Sequence, residues 1–188
     1  MNAKNFIEPF NILAKETLSK HRYQHSLGVA QSAKDLAVHY HYSDPDLAYL
    51  CGLGHDIARE TPLEAQIILA KYIGRWREID ADFPMVLHGR IAAYILKESL
   101  DFSSFLLDQA CCLHTTGRIG MTDLDYILYI ADYIEPGRSY AKDLQLDFSQ
   151  FTLESLGEYI LRQSTDYLLA QGKALHPDTA DWLSSLEK

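Results

Sequence analysis

The stretch LCGLGHDIARE, running from Leu50 to Glu60, closes an apolar helix and at once presents two metal-type ligands. Leu50, Cys51 and Leu53 form the apolar part, thinned by Gly52 and Gly54; His55 and Asp56 follow, and then the cation Arg59. Neighbouring residues on a helix point about 100° apart, so an adjacent His-Asp pair serves one apolar face poorly. At a helix end the same pair can turn an imidazole and a carboxylate toward one point. Imidazole suits borderline metals such as zinc, iron or nickel, and a carboxylate can bridge two ions or hold a water. Taken alone the dipeptide reads as a surface pair. The supply of partners elsewhere reverses that reading: His25 before it, then His88, His114 and Asp132.

Outward from this stretch almost every segment runs at helical period. Phe6, Ile7, Phe10, Leu13 and Ala14 share one face, with Pro9 bending or starting the first turn. Ser19 can cap a second helix through about Tyr40, with Leu27, Ala30, Ala33 and Ala37 facing inward. Asp44-Pro45 starts a third, which runs into His55-Asp56, and Thr61-Pro62 a fourth. The polar run Gly74 to Phe83 reads as a loop. Helical pattern resumes from Pro84 to Leu100, with His88 in its first turns, and again from Ser103 or Ser104 to His114. Thr122 with Asp125 resembles a capping box before YILYIADYI, a helix closed by Pro136-Gly137. Ala141 to Gln150 reads as a polar connection, Thr152 caps a long helix ending at Gly172, and His176-Pro177 opens a short last one. Strand signals are nearly absent, so the fold class is all-α, a single helical bundle.

At 188 residues the chain reads as one domain able to bury a full core. No apolar run approaches the roughly 20 residues that span a bilayer, and the first 20 residues read as an amphipathic helix rather than a signal peptide. Cys51, Cys111 and Cys112 lack CxxC spacing, which argues for reduced thiols, small apolar filler and a cytoplasmic setting. The net charge of −9 and scattered arginines speak against a polymeric nucleic acid partner. Several arginines follow motif residues, as Arg22, Arg59, Arg118 and Arg138 do, which fits a small anionic ligand in a local pocket. Trp76 or the Gly74–Phe83 loop could serve a homodimer contact.

Among the eight histidines, His21, His39 and His41 read as exposed or capping imidazoles, and His176 as a residue behind the ligand shell. His25, His55, His88 and His114 each lie at a helix terminus or on a face shared with small residues. Asp132 lies inside the apolar helix IADYIEPG, where a carboxylate needs a partner. A metal and a buried ion pair to arginine are both open there.

The order His, His-Asp, His, His, Asp, all on helices, resembles the HD superfamily of metal-dependent phosphohydrolases. The segments HRYQHSLGVAQSAKDLA, GLGHDIARE, HGRIAAYIL, HTTGRIGMTDLDYILYIADYIEPGR and LHPDT are similar to the YqeK-type symmetrical bis(5'-nucleosyl)-tetraphosphatases, from about Arg22 to Thr179. The resemblance implies an HD-domain core over about 19–137, with C-terminal helices 152–187 completing a nucleotide pocket. It implies His25, His55, Asp56, His88, His114 and Asp132 as ligands of two metal ions, iron being the usual assignment and manganese, nickel, cobalt or zinc compatible with the donors. Asp56 would bridge. Arg22, Arg59, Thr115, Arg118 and Arg138 would hold phosphates, and His176, Pro177 and Asp178 would border the nucleotide. Candidate pocket walls are Tyr140, Phe83 and Trp182, each of which also reads as a core aromatic. Gly54 departs from the bulkier apolar residue usual before the motif histidine, and Arg59 stands where lysine is common.

The reaction so implied is hydrolysis of diadenosine tetraphosphate to two ADP. A metal-bridging hydroxide would attack an inner phosphorus, with Asp56, Arg59 and Arg118 as catalytic residues. Rival readings are another HD-type nucleotidase or phosphodiesterase, a diiron oxygenase, and a nucleotide-binding module without catalysis.

Overall fold

Short polar side chains set where the helices begin. Ser19, Asp44, Ser104, Thr122 and Thr152 each accept a hydrogen bond from the backbone N–H three residues on, at Arg22, Leu47, Leu107, Asp125 and Ser155. Each thereby satisfies one of the donors a helix start leaves open. The computed structural model describes residues 2–138 and 146–187. Among them are nine α-helices and no strand: α1 Ile7–Thr17, α2 Lys20–His39, α3 Pro45–Gly54, α4 Leu63–Tyr72, α5 Leu87–Leu100, α6 Phe105–Leu113, α7 Asp123–Ile134, α8 Leu153–Ala170 and α9 Pro177–Ser185. No helix among the described residues is long and apolar enough to cross a membrane.

The most extensive helix–helix contact is α2 on α3. It is built from small residues: Ala30, Ala33 and Ala37 are fully buried on α2. A Cβ placed on Gly52 would come within 2.5 Å of the Ala30 Cα, so the two backbones nearly touch there. Helix α7 packs against α2, α6 and α8, and Ile127, Leu128, Ile130 and Ala131 are wholly enclosed. Helix α9 closes one side: Trp182 lies edge-on to Tyr126 and Tyr129 at 5.9 and 5.4 Å between ring centres. Trp182 is thus a core aromatic. Gly54 is small because Leu96 and Phe10 occupy the space, at 2.9 and 3.2 Å from where its Cβ would stand.

The segment after α4 is more ordered than a plain loop. Glu78–Ala81 forms a 3-10 turn. Its anchor is Asp80, fully buried, which accepts from the Arg77 backbone N–H at 2.7 Å and pairs with Arg90 of α5 at 2.6 Å. Arg75 grips Asp108 of α6 with both guanidinium nitrogens, and Arg77 pairs with Asp178 of α9 at 2.7 Å. A polar run with no periodicity looks like loop in sequence; here its charges are spent on three partners from three helices. Trp76 is half-buried, with the Lys71 ammonium 4.9 Å from its ring centre. Tyr140 and residues 141–145 of the expected polar connection lie outside the described residues, and its end, Phe148–Gln150, is a 3-10 turn.

Substituting Gly52→Ala forces a methyl group into backbone that cannot retreat. A loss of about 1–3 kcal/mol in unfolding free energy is expected, the cost typical of overpacking a core. Urea denaturation of the variant against the parent chain, at unchanged m-value, checks it.

Candidate metal centre

Two of the histidines are placed by the same device. His55 is the C-cap of α3 and His114 the C-cap of α6. Each folds its Nδ1 back onto the carbonyl three residues earlier, His55 onto Gly52 and His114 onto Cys111, both at 2.7 Å. The last carbonyls of a helix have no partner within it, so the imidazole supplies one. A carbonyl only accepts, so the proton sits on Nδ1 and the Nε2 lone pair of each ring points away from its helix. His88, in the first turn of α5, approaches from a third direction. Gly89 beside it lets α5 close on α6, because a Cβ there would lie 2.3 Å from the Cys111 oxygen. His25 comes from α2 and Asp132 from α7.

These side chains converge. His88 Nε2 lies 3.0 Å from His114 Nε2 and 3.0 Å from Asp56 Oδ1. Asp56 Oδ2 lies 3.5 Å from His55 Nε2 and 3.7 Å from His25 Nε2. His25 Nε2 is 3.0 Å from Asp132 Oδ1, which is 3.9 Å from His55 Nε2. The six residues fall into three overlapping triads of donor atoms: His25, His55 and Asp56; His55, His114 and Asp132; and Asp56, His88 and His114. His25, His55, Asp56, His88 and His114 are buried.

The donor set fits a metal. The Nε2 atoms of His25 and His55 are buried with no hydrogen-bond partner, and a buried polar atom left so is costly. Charge points the same way. Burial alone would raise the Asp56 carboxyl, but the His55 and His88 imidazoles overcome it and hold it well below the usual carboxylate range. Asp132 is likewise kept anionic against burial, by His25, His55 and Arg138. For His55, burial disfavours the cation, yet Asp56 and Asp132 outweigh it and raise its pKa. The field that holds a proton on His55 is the field that would hold a metal cation. Burial, with His55 and His88 nearby, drops His114 to about 3, leaving it a neutral imidazole, the form that ligates.

Both carboxylates also carry an arginine. Arg22 Nη1 donates to Asp56 Oδ2 at 2.8 Å, and Arg138 donates to the Asp132 carboxylate at 2.5 Å and to its carbonyl at 2.9 Å. The two readings left open for Asp132, metal or arginine, are therefore not exclusive. Arg59 Nη1 is 3.2 Å from His88 Nδ1, on the outer side of that ring. Thr115 and Arg118 are exposed, and Arg118 lines a cleft of about 550 Å³ with Thr116, Trp76, Arg77, Arg90 and Asp178. None of the six cage residues lines this cleft, although Leu113 and Thr116 on its wall flank His114. His176 caps α9 by accepting from the Asp178 N–H at 3.1 Å and lies edge-on to Phe83, away from the cage. Pro177 is exposed, and Asp178 is engaged by Arg77. Thr179 donates to the Thr116 carbonyl at 2.8 Å and ties α9 to the turn after His114.

The HD domain description matches residues 22–137, which includes all six converging side chains. The chain belongs to the HD domain family. It is 32% identical over 169 residues to a symmetrical bis(5'-nucleosyl)-tetraphosphatase of Halalkalibacterium halodurans, with 89% of each chain covered. A Bacillus subtilis protein of the same name is 29% identical over 91% of this chain and 94% of its own. A crystal structure from Clostridium acetobutylicum, described as that of a predicted HD superfamily hydrolase involved in NAD metabolism, superposes with a TM-score of 0.85 at 29% identity over 96% of both chains.

One residue at the HD centre was not signalled by the sequence reading. Glu135 is buried, and its Oε1 lies 3.1 Å from His25 Nδ1. In sequence it looks like the last residue before the helix stop Pro136-Gly137, and its partner is 110 positions away.

The depressed pKa of His114 has a consequence for stability. The folded protein holds this ring neutral down to about pH 3, whereas the unfolded chain protonates it near its ordinary value of 6.5. Below pH 6.5 the unfolded state then binds the extra proton, so stability falls with falling pH until about 3. His55, shifted upward, acts in the opposite sense and loses its contribution as pH rises through its folded pKa. In protein stripped of metal with chelator, His114→Gln is expected to lessen the fall in thermal midpoint between pH 6.5 and 4. Scanning calorimetry of both proteins across that range measures the difference.

Proposed function

We propose that this protein hydrolyses dinucleoside tetraphosphates symmetrically, releasing two nucleoside diphosphates, at a pair of metal ions held by His25, His55, Asp56, His88, His114 and Asp132. The observation that carries the reading is the convergence of these six side chains around orphaned imidazole nitrogens, in a chain whose relatives over nearly full length bear the name of that activity. Iron suits the four imidazoles and two carboxylates, as would manganese, nickel, cobalt or zinc. Bound divalent metal would supply Lewis acidity toward phosphate oxygens and toward water.

The chain's own groups do the rest. Asp56 presents its two oxygens to opposite sides, Oδ1 toward His88 and Oδ2 toward His25 and His55, as a shared ligand must. Arg22 and Arg138 pair with Asp56 Oδ2 and Asp132 Oδ1, orient the two carboxylates, and would hold phosphate. Arg59, beside the far nitrogen of His88, and Arg118, exposed at the cleft, would receive the flanking phosphates. The cleft, bounded by the 74–77 segment, the turn after His114 and α9, has the size range of a small-ligand pocket and suits one nucleotide half. In this reading α9 belongs to the substrate site, since it supplies Asp178 and Asp181 to the cleft. A pocket that accepts one half would set the distance from nucleoside to cutting point, which is what a central cut requires.

Anaerobic metal analysis coupled with product identification tests the proposal. Diadenosine tetraphosphate should give two equivalents of ADP; AMP with ATP would indicate an off-centre cut and another phosphohydrolase specificity. Asp56→Ala is expected to abolish turnover and metal retention together. Arg118→Ala should retain metal and lower kcat/KM by about 10²-fold, the usual size for loss of one group stabilising transition-state charge. Full activity in the Asp56 variant would remove the basis for the whole assignment.

A further inference from the structure

Glu135 follows the last residue of α7 and is buried there. That is an unfavourable place for an anion. The C-terminal end of a helix already carries the negative pole of the backbone dipoles, and a buried carboxylate needs charged or hydrogen-bonding partners to persist. Each of its oxygens has a partner. Oε1 faces His25 Nδ1 at 3.1 Å, and Oε2 accepts from the Gly137 backbone N–H at 2.7 Å. Glu135 sits before a proline in extended conformation, φ −57° and ψ 141°, which ends the helix at this residue.

The surrounding backbone leaves room for this carboxylate and little else. A Cβ on Gly28 of α2, one turn beyond His25, would lie 2.6 Å from Oε2. A Cβ on Gly137 would lie 2.8 and 2.9 Å from the two oxygens. Capping Gly137 alone would need no charge, since an amide oxygen accepts from a backbone N–H as well. The second oxygen is accounted for by the imidazole. Asp132 Oδ1 of α7 approaches the His25 Nε2 to 3.0 Å, and Glu135, just past α7, meets its Nδ1 at 3.1 Å. Its Nε2 is one of the buried nitrogens without a hydrogen-bond partner.

We propose that Glu135 is the positioning residue that makes His25 a metal ligand: it accepts a hydrogen bond from the Nδ1–H, fixes the ring, and directs the Nε2 lone pair into the cage. Outer carboxylates of this kind orient a ligating imidazole and raise its basicity, and their loss typically weakens metal affinity 10–100-fold. The inference rests on the metal-cage reading above and extends it to a residue outside the six. It also assigns a purpose to Gly28, which keeps α2 clear of the carboxylate.

The test is Mn²⁺ affinity, read by electron paramagnetic resonance of the free ion in anaerobic titrations of full-length protein. Glu135→Gln is expected to bind Mn²⁺ at least tenfold more weakly than the parent chain, with an unchanged metal-free circular dichroism spectrum. Gly28→Ala, which pushes on the carboxylate without removing it, should weaken binding in the same direction. Parent-like affinity in both folded variants overturns the role of Glu135 and leaves the cage intact. A parent chain that binds no Mn²⁺ overturns the cage itself, and this inference with it. Independently of any variant, long-range ¹H–¹⁵N spectra of the Zn²⁺-loaded parent protein should place the His25 proton on Nδ1. A proton on Nε2 there would overturn the proposal even if both substitutions failed to fold.

Discussion

The Asp56 carboxylate is a full negative charge with almost no access to water, surrounded by groups that each want one of its oxygens. Arg22 takes Oδ2, His88 faces Oδ1, and His25 and His55 flank the Oδ2 side. Burying such a charge is tolerated only where opposite charge or good hydrogen bonds replace water. The bundle is arranged to bring those groups: α2 supplies Arg22 and His25, the end of α3 supplies His55, and α5 supplies His88. The close α2–α3 contact at Gly52 and the close α5–α6 contact at Gly89 are the packing decisions behind that convergence. Core packing and site chemistry are here the same set of contacts seen from two sides.

Around this centre the arginines divide by task. Arg22 and Arg138 are bound to cage carboxylates. Arg75, Arg77 and Arg90 are paired with Asp108, Asp178 and Asp80 and hold the segment after α4 against α6, α9 and α5. Arg118 stands exposed at the cleft. A chain with net charge −9 can thus present local positive groups to an anionic substrate without a basic surface.

Much of this was legible because its signals are local. Ser19, Asp44, Ser104, Thr122 and Thr152 announce helix starts within three residues of themselves, and the all-α class follows from the periodicity between them. His25, His55, His88, His114 and Asp132 were legible as a set through their order along the chain. That the cage could fit a metal needed the fold, since spacing leaves each imidazole open to a bland role. Glu135 and Asp80 were not legible. Each is one acidic residue in a plausible turn or helix end, and each acquires meaning only from a partner on another element, His25 for one and Arg90 for the other. Gly89 and Gly28 read as ordinary helix glycines for the same reason: what they make room for comes from elsewhere in the chain.

Because His55 and His114 are aimed by the final carbonyls of their own helices, their direction is fixed by backbone count and not by neighbouring side chains. Each added or removed residue turns a helix end by about 100°. One extra residue between Gly52 and His55, or between Cys111 and His114, would swing an imidazole out of the cage while leaving every hydrophobic position filled. Across descendants of this chain, drift in amino-acid identity on α3 and α6 should therefore be far commoner than drift in their length.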